Sequence, residues 1–150
     1  MLIVRTALVE LNFSAAAGQG SFKAFEDQQL MHDCKIIGVE GVSASQLSRS
    51  PSNQAMVSQS NCLYTALDLR TPTGTKQIYQ IPFGNIITSV NAGIIKEFYG
   101  LDISWQTSGV WVFSGGIIAA NESICFNFLY VRNKEWKQYL ELRAKYGRVF

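Results

Sequence analysis

The sequence has few of the side chains that perform catalysis or bind metals. Its 150 residues include a single histidine, His32, and three cysteines, none of which forms a Cys-x-x-Cys pair or has a histidine at metal-ligand spacing. No glycine-rich phosphate loop joins a predicted strand to a predicted helix. These gaps argue against a metal site and a disulfide framework, and they predict a protein without a cofactor that folds in a reducing compartment.

Charged residues and long apolar runs are also scarce. Charged residues make up 16% of the chain, where a typical soluble domain has about 25%. No stretch approaches the run of about 18 apolar residues that a membrane-spanning helix needs. The N-terminus lacks the order of a signal peptide, because Arg5 follows its short apolar run at once. We therefore expect synthesis in the cytoplasm, and we expect partners to cover the sparsely charged surface.

What the chain does contain is alternation of apolar and polar residues, the pattern of half-buried strands. It predicts seven or eight strands and a body that is all-β, either a sandwich or a small barrel. The predicted strands lie in Met1–Phe13, in Cys34–Ala44, in a hairpin of Cys62–Leu69 with Lys76–Ile81, in a second hairpin of Leu101–Gln106 with Val110–Phe113, and in a central strand at Ser123–Val131.

Two predicted loops and one predicted helix complete the chain. Ser43–Asn61 contains seven serines and predicts a long surface loop, and Phe83–Ile95 predicts a second connection. Helix formers follow Asn133, which is a good N-cap, and stop at Gly147. We predict one domain, with a body over 1–131 and a C-terminal amphipathic helix within 132–150. This tail carries six Lys/Arg against two Asp/Glu.

The basic helix allows three interpretations. Its aromatic stripe caps the open end of the sandwich, or it packs on a neighbouring subunit, or its basic residues meet nucleic acid or anionic lipid. Because Trp, Tyr and Arg are typical anchors of interfaces, we predict a subunit interface at Trp136, Tyr139, Leu140 and Arg143.

Three alternatives involve chemistry or a ligand. His32 and Cys34 could meet on one face of an extended segment as a catalytic pair. Asp68 and Asp102 could act as paired carboxylates of a glycosidase. Exposed Trp111 and Tyr99 could stack on sugars in a carbohydrate-binding module. We favour a protein that is not an enzyme, since no oxyanion motif accompanies His32.

The order of features resembles that of small jelly-roll virion proteins of bacteriophages. The resemblance rests on Leu63–Leu69, the turn 71–74, the return Lys76–Phe83, and the later strands at 101–105, 110–113 and 124–130. It implies a structural subunit of a capsid, a vertex or a decorated head. It also implies a homo-oligomer, a pentamer or a trimer, which binds other coat proteins of the same virion.

Overall fold

The chain folds into two sheets packed face to face, as a computed structural model of residues 3–73, 77–86, 96–113, 115 and 117–147 describes. Nine strands and two helices lie in this part of the chain. They are β1 Arg5–Phe13, β2 Phe22–Ala24, β3 Cys34–Val42, β4 Ala55–Met56, α1 Gln59–Cys62, β5 Thr65–Arg70, β6 Gln77–Pro82, β7 Lys96–Leu101, β8 Gly109–Val112, β9 Glu122–Arg132 and α2 Trp136–Tyr146.

The strand order is that of a jelly roll. Sheet 1 has the order β1-β9-β3-β7, and sheet 2 has the order β2-β8-β5-β6. All of these pairs are antiparallel, and only the two-residue β4 joins β9 in parallel. The chain therefore crosses repeatedly between the sheets, and the predicted all-β sandwich with one C-terminal helix is confirmed.

The core lies between the sheets because each strand turns its apolar side inward. In β1 the inward side carries Val9, Leu11 and Phe13, which are all buried. Edge-to-face aromatic contacts fill the centre, where Phe128 lies 5.0 Å from Trp105 between ring centroids. Trp105 is itself 5% exposed. β9 is the central strand of sheet 1, as its two apolar faces predict.

Helix α2 covers the outer face of sheet 1, which explains why β9 is apolar on both sides. Tyr139 packs with Ile37, Leu129 and Val131 in a second, smaller core. A 3-10 turn at Asn133–Glu135 precedes the helix, so the prediction of Asn133 as its N-cap is wrong. The predicted stop at Gly147 is confirmed, because this residue has φ +76° and its N–H donates to the carbonyl of Arg143.

The serine-rich segment lies against the other end of the same outer face. Ser52 and Ser123 both donate hydrogen bonds to the carboxylate of Glu10. Burial acts to raise the pKa of Glu10, but hydrogen bonds from Ser50, Ser52 and Ser123 outweigh it and hold the pKa below its ordinary value. The predicted loop over Ser43–Asn61 therefore contains β4 and α1 and is bonded to sheet 1.

The second predicted hairpin is wrong. The strand near Leu101 lies earlier, at Lys96–Leu101, and pairs with β3 in sheet 1, whereas β8 pairs with β2 and β5 in sheet 2. Between them the chain crosses from one sheet to the other, and Ser104 N–H donates to the carbonyl of Arg70 over 2.8 Å. The alternation of 101–106 therefore comes from a crossover with one buried side.

The first predicted hairpin is formed by β5 and β6. Gly74 and Lys76 of its turn and return lie outside the described residues, as do residues 87–95 of the predicted connection. The described start of that connection, Phe83–Asn85, is a 3-10 turn. No helix among the described residues is long and apolar enough to cross a membrane.

Candidate functional site

The outer face of sheet 2 carries a row of large aromatic side chains. Val110 and Val112 of β8 are buried in the core, so alternation turns Trp111 and Phe113 outward. Phe22 of β2 stands opposite Trp111, and their ring centroids are 4.7 Å apart. We call this surface the aromatic face and define it by Phe22, Leu63, Tyr64, Pro82, Trp111 and Phe113.

These side chains are exposed or half-buried. Phe113 is 42% exposed, Tyr64 is 45% exposed and Leu63 is 52% exposed, while Trp111 and Phe22 are half-buried. The main chain joins them, because Phe113 N–H donates to the carbonyl of Tyr64 over 2.7 Å. Contiguous exposed apolar surface of this kind is typical of a site that another molecule covers.

A buried carboxylate holds Trp111 in place. Asp68 of β5 is fully buried, and its Oδ2 accepts a hydrogen bond from the Trp111 indole N–H at 2.7 Å. The same oxygen lies 2.8 Å from the guanidinium of Arg70. The ion pair neutralises the buried charge, and the indole hydrogen bond fixes the tilt of the ring. The aromatic face is therefore rigid at Trp111, and its one buried charge is paired.

Most of the residues predicted to form a subunit interface make contacts within the chain. Tyr139 is 1% exposed, and its hydroxyl accepts a hydrogen bond from Arg143 at 3.0 Å. Arg143 also lies 3.9 Å from the carboxylate of Glu97. Trp136 stacks on Tyr139 and lies against Gly100 of β7, where a Cβ would come within 2.6 Å of the indole. Tyr139 is thus covered within the chain for as long as α2 lies on sheet 1.

The first interpretation of the basic helix places it over the open end of the sandwich. In the structure the helix lies on the outer face of sheet 1 instead. Leu140 and Trp136 are half-buried at the margin of the second core, so their contact with another subunit stays a prediction. Lys134, Lys137 and Lys145 are exposed. Contact of these lysines with nucleic acid or anionic lipid stays a prediction as well.

The two aromatic residues predicted for ligand stacking do not meet. Trp111 faces outward from sheet 2, whereas Tyr99 is on β7, the edge strand of sheet 1, beside the helix. Tyr99 is 76% exposed. Because the sandwich separates the two rings, a single small ligand cannot stack on both.

His32 and Cys34 line a polar groove at one end of the sandwich without contacting each other through their side chains. The His32 ring lies 2.7 Å from the carboxylate of Asp27, and the Cys34 thiol donates to the main-chain carbonyl of His32. Two adjoining depressions of about 400 and 420 Å³ share His32, Asp33, Cys34 and Asn133. The described residues hold no cluster of three His, Cys, Asp or Glu side chains suited to a metal ion.

The two carboxylates considered for glycoside hydrolysis lie at different places and form separate ion pairs. Asp68 is buried under Trp111 and Arg70, while Asp102 lies in the groove and pairs with Lys35 at 2.7 Å. Each carboxylate has its own cation. The structure therefore does not bring the two carboxylates to the same glycosidic bond of a substrate.

The cysteine thiols offer a direct test of nucleophilic chemistry. Burial raises the pKa of Cys62 and of Cys125 to about 12, and burial also raises the pKa of Cys34. We expect a thiol-reactive disulfide reagent at neutral pH to leave all three thiols unmodified in the folded protein and to modify all three in urea. Absorbance of the released thiolate measures this. Rapid modification of Cys34 in the folded protein would contradict this prediction and would support His32 and Cys34 as a catalytic pair.

The aromatic face combines residues that sequence reasoning treats separately. Alternation in β5 does put Tyr64 and Asp68 on the side opposite Leu67 and Leu69. The run at 110–113 is apolar on both sides, however, and only the burial of Val110 and Val112 in the structure shows that Trp111 and Phe113 face outward. Comparisons with family models, with curated proteins and with solved structures find no match to this chain.

Proposed function

We propose that the chain is a non-enzymatic structural subunit of a bacteriophage virion, a capsid vertex or head protein that acts through self-assembly. The strand order of the two sheets is the observation that carries the proposal. This jelly-roll order is shared by viral capsid domains, lectin domains and cupins. Among these three classes we favour the capsid domain, because the aromatic face is suited to binding another protein.

The aromatic face has the character of such a surface. It presents large rings, one of them fixed by a buried carboxylate, and its Asp68 charge is already paired within the chain. A neighbouring copy can therefore cover it without burying an unpaired charge. Rigid aromatic anchors of this kind contribute most of the binding energy in protein interfaces. We assign the aromatic face to contact between copies within a trimer or a pentamer.

Light-scattering-coupled size exclusion, supported by negative-stain electron microscopy, tests the proposal. We expect the wild-type chain to form assemblies built from trimeric or pentameric rings, with masses that are whole multiples of three or of five subunits, at low and at moderate salt. Phe113→Asp places a charge in the contact and should weaken association about thirty-fold, which corresponds to ~2 kcal/mol. Its secondary structure should stay unchanged, because Phe113 lies outside the core.

Leu30→Asp is the matched control, since Leu30 is 79% exposed and lies away from the aromatic face in the polar groove. It should leave the oligomer intact. A wild-type chain that stays monomeric at every concentration reached would contradict the proposed self-assembly. Equal weakening by both substitutions would remove the aromatic face from the contact.

A further inference from the structure

β1 forms one edge of sheet 1, and no other described strand pairs with its free side. It pairs with β9 in an unbroken register from Arg5 to Phe13. Among the described residues, no main-chain group outside β9 hydrogen-bonds the main chain of 5–12. The nine-residue edge therefore presents a row of main-chain donors and acceptors without partners in the described part of the chain.

The hydrogen bonds of β9 identify which residues of β1 direct their main-chain groups to the free edge. Val57 N–H donates to the carbonyl of Ser123 over 2.9 Å, on the side of β9 away from β1. Ser123 stands opposite Asn12, so this pair exchanges no main-chain hydrogen bonds. Because hydrogen-bonded and open pairs alternate along an antiparallel ladder, the even-numbered residues direct their N–H and C=O groups to the free edge. They are Thr6, Leu8, Glu10 and Asn12.

The other three edges carry the features by which proteins prevent strand pairing. β2 is three residues long. β6 ends at Pro82 and is out of register beside Arg70. β7 begins with exposed Lys96, contains Gly100 at φ +82°, and lies against a register shift in β3.

β1 has none of these protections. It contains no proline, lysine or register shift. Its two charged side chains are occupied within the chain, Arg5 by Glu135 at 3.1 Å and Glu10 by the serine-rich segment. Leu8, whose main chain points to the free edge, is 42% exposed.

We infer that β1 pairs with β1 of a second copy of this chain, antiparallel and about a twofold axis at Val9. In this register Thr6 stands opposite Asn12 of the second copy, and Leu8 stands opposite its Glu10. Arg5 faces a phenylalanine, so no like charges oppose each other. The two copies of sheet 1 become one continuous sheet of eight long strands.

This inference rests on the proposed function, because it adds a second contact to a self-assembling subunit. A twofold contact cannot close a trimer or a pentamer, so β1 pairing joins one ring to the next. The aromatic face holds copies within a ring, and β1 links rings. The two contacts can therefore be removed one at a time.

Leu8→Pro is the test variant, because it removes an N–H that β9 does not use and places a ring where the second strand would lie. By light scattering, we expect the wild-type chain to form linked rings and Leu8→Pro to form single rings. Leu8→Glu, which places a carboxylate opposite Glu10 of the second copy, serves as the second variant if the proline impairs folding, which thermal unfolding reports.

Amide hydrogen exchange gives a readout specific to the strand. In the wild-type assembly the amides of Thr6, Glu10 and Asn12 should exchange about 100-fold more slowly than in Leu8→Pro. The amides of Val9 and Leu11, which bond to β9, are the internal control and should stay protected in both proteins.

The outcomes separate the two proposals. A wild-type chain that is monomeric contradicts the proposed function and, with it, the β1 contact. Wild-type rings whose Thr6, Glu10 and Asn12 amides exchange as fast as those of Leu8→Pro contradict the β1 contact alone. Rings that stay linked in both edge variants would also overturn it.

Discussion

Replacing Gly109 by alanine should lower the free energy of unfolding by about 3 kcal/mol. β2 passes so close to β8 that a Cβ on Gly109 would overlap the carbonyl oxygen of Lys23 and would lie 2.8 Å from the Cα of Ala24. Both are main-chain atoms, so β2 must move away from β8. Phe22 and Trp111, which meet across these strands, would be displaced with it.

Thermal unfolding followed by circular dichroism measures this effect, and we expect the midpoint to fall by about 9 °C. Gly18→Ala is the control, because no heavy atom lies within 4 Å of the added Cβ and the residue has no positive φ. It should change stability by less than about 0.5 kcal/mol. If the two variants unfold at the same temperature, the close approach of β2 to β8 is refuted.

Removing the Asp68 carboxylate should have the second-largest effect, a loss of about 2.5 kcal/mol. In Asp68→Ala the Trp111 indole N–H and the Arg70 guanidinium lose a shared acceptor that is fully buried. Arg70 is 25% exposed, so water replaces part of its interaction. Urea unfolding measures the loss, and tryptophan fluorescence reports any release of Trp111.

Asp102→Ala provides the comparison, since its carboxylate is 52% exposed in its ion pair with Lys35. Solvent screens that pair, and we expect a loss of less than about 1 kcal/mol. Asp68→Asn should fall between the two, because the amide oxygen can still accept from Trp111. A loss in Asp68→Ala no larger than in Asp102→Ala would show that the buried carboxylate does not support the aromatic face.

Much of the fold is predictable because alternation directly reports burial on one side. β1 follows from it, and β9 follows from an apolar run on both sides, which indicates a central strand. The second hairpin could not be predicted correctly, because the crossover at 101–106 has one buried side and thus the period of a strand.

The site was harder to predict, because it depends on which strands become neighbours. The aromatic stripe of α2 reads as an interface, yet the outer side of β9 is also apolar and covers Tyr139. The aromatic face requires Phe22 and Trp111 to pair across β2 and β8, which are far apart in sequence. Local patterns carry no information on such pairing, which the whole topology determines.

The pairing of β1 with β9 also sets when the protein can fold during its synthesis. β1 leaves the ribosome before the other described strands, but its only strand partner among them is β9, which follows all the others along the chain. At bacterial and eukaryotic elongation rates, β9 follows on the order of ten seconds later. During that interval both edges of β1 are unpaired, and neighbouring nascent chains on one message hold the same strand in the same state. We expect chaperones to bind β1 during this interval, and sheet 1 to form only after β9 has left the ribosome.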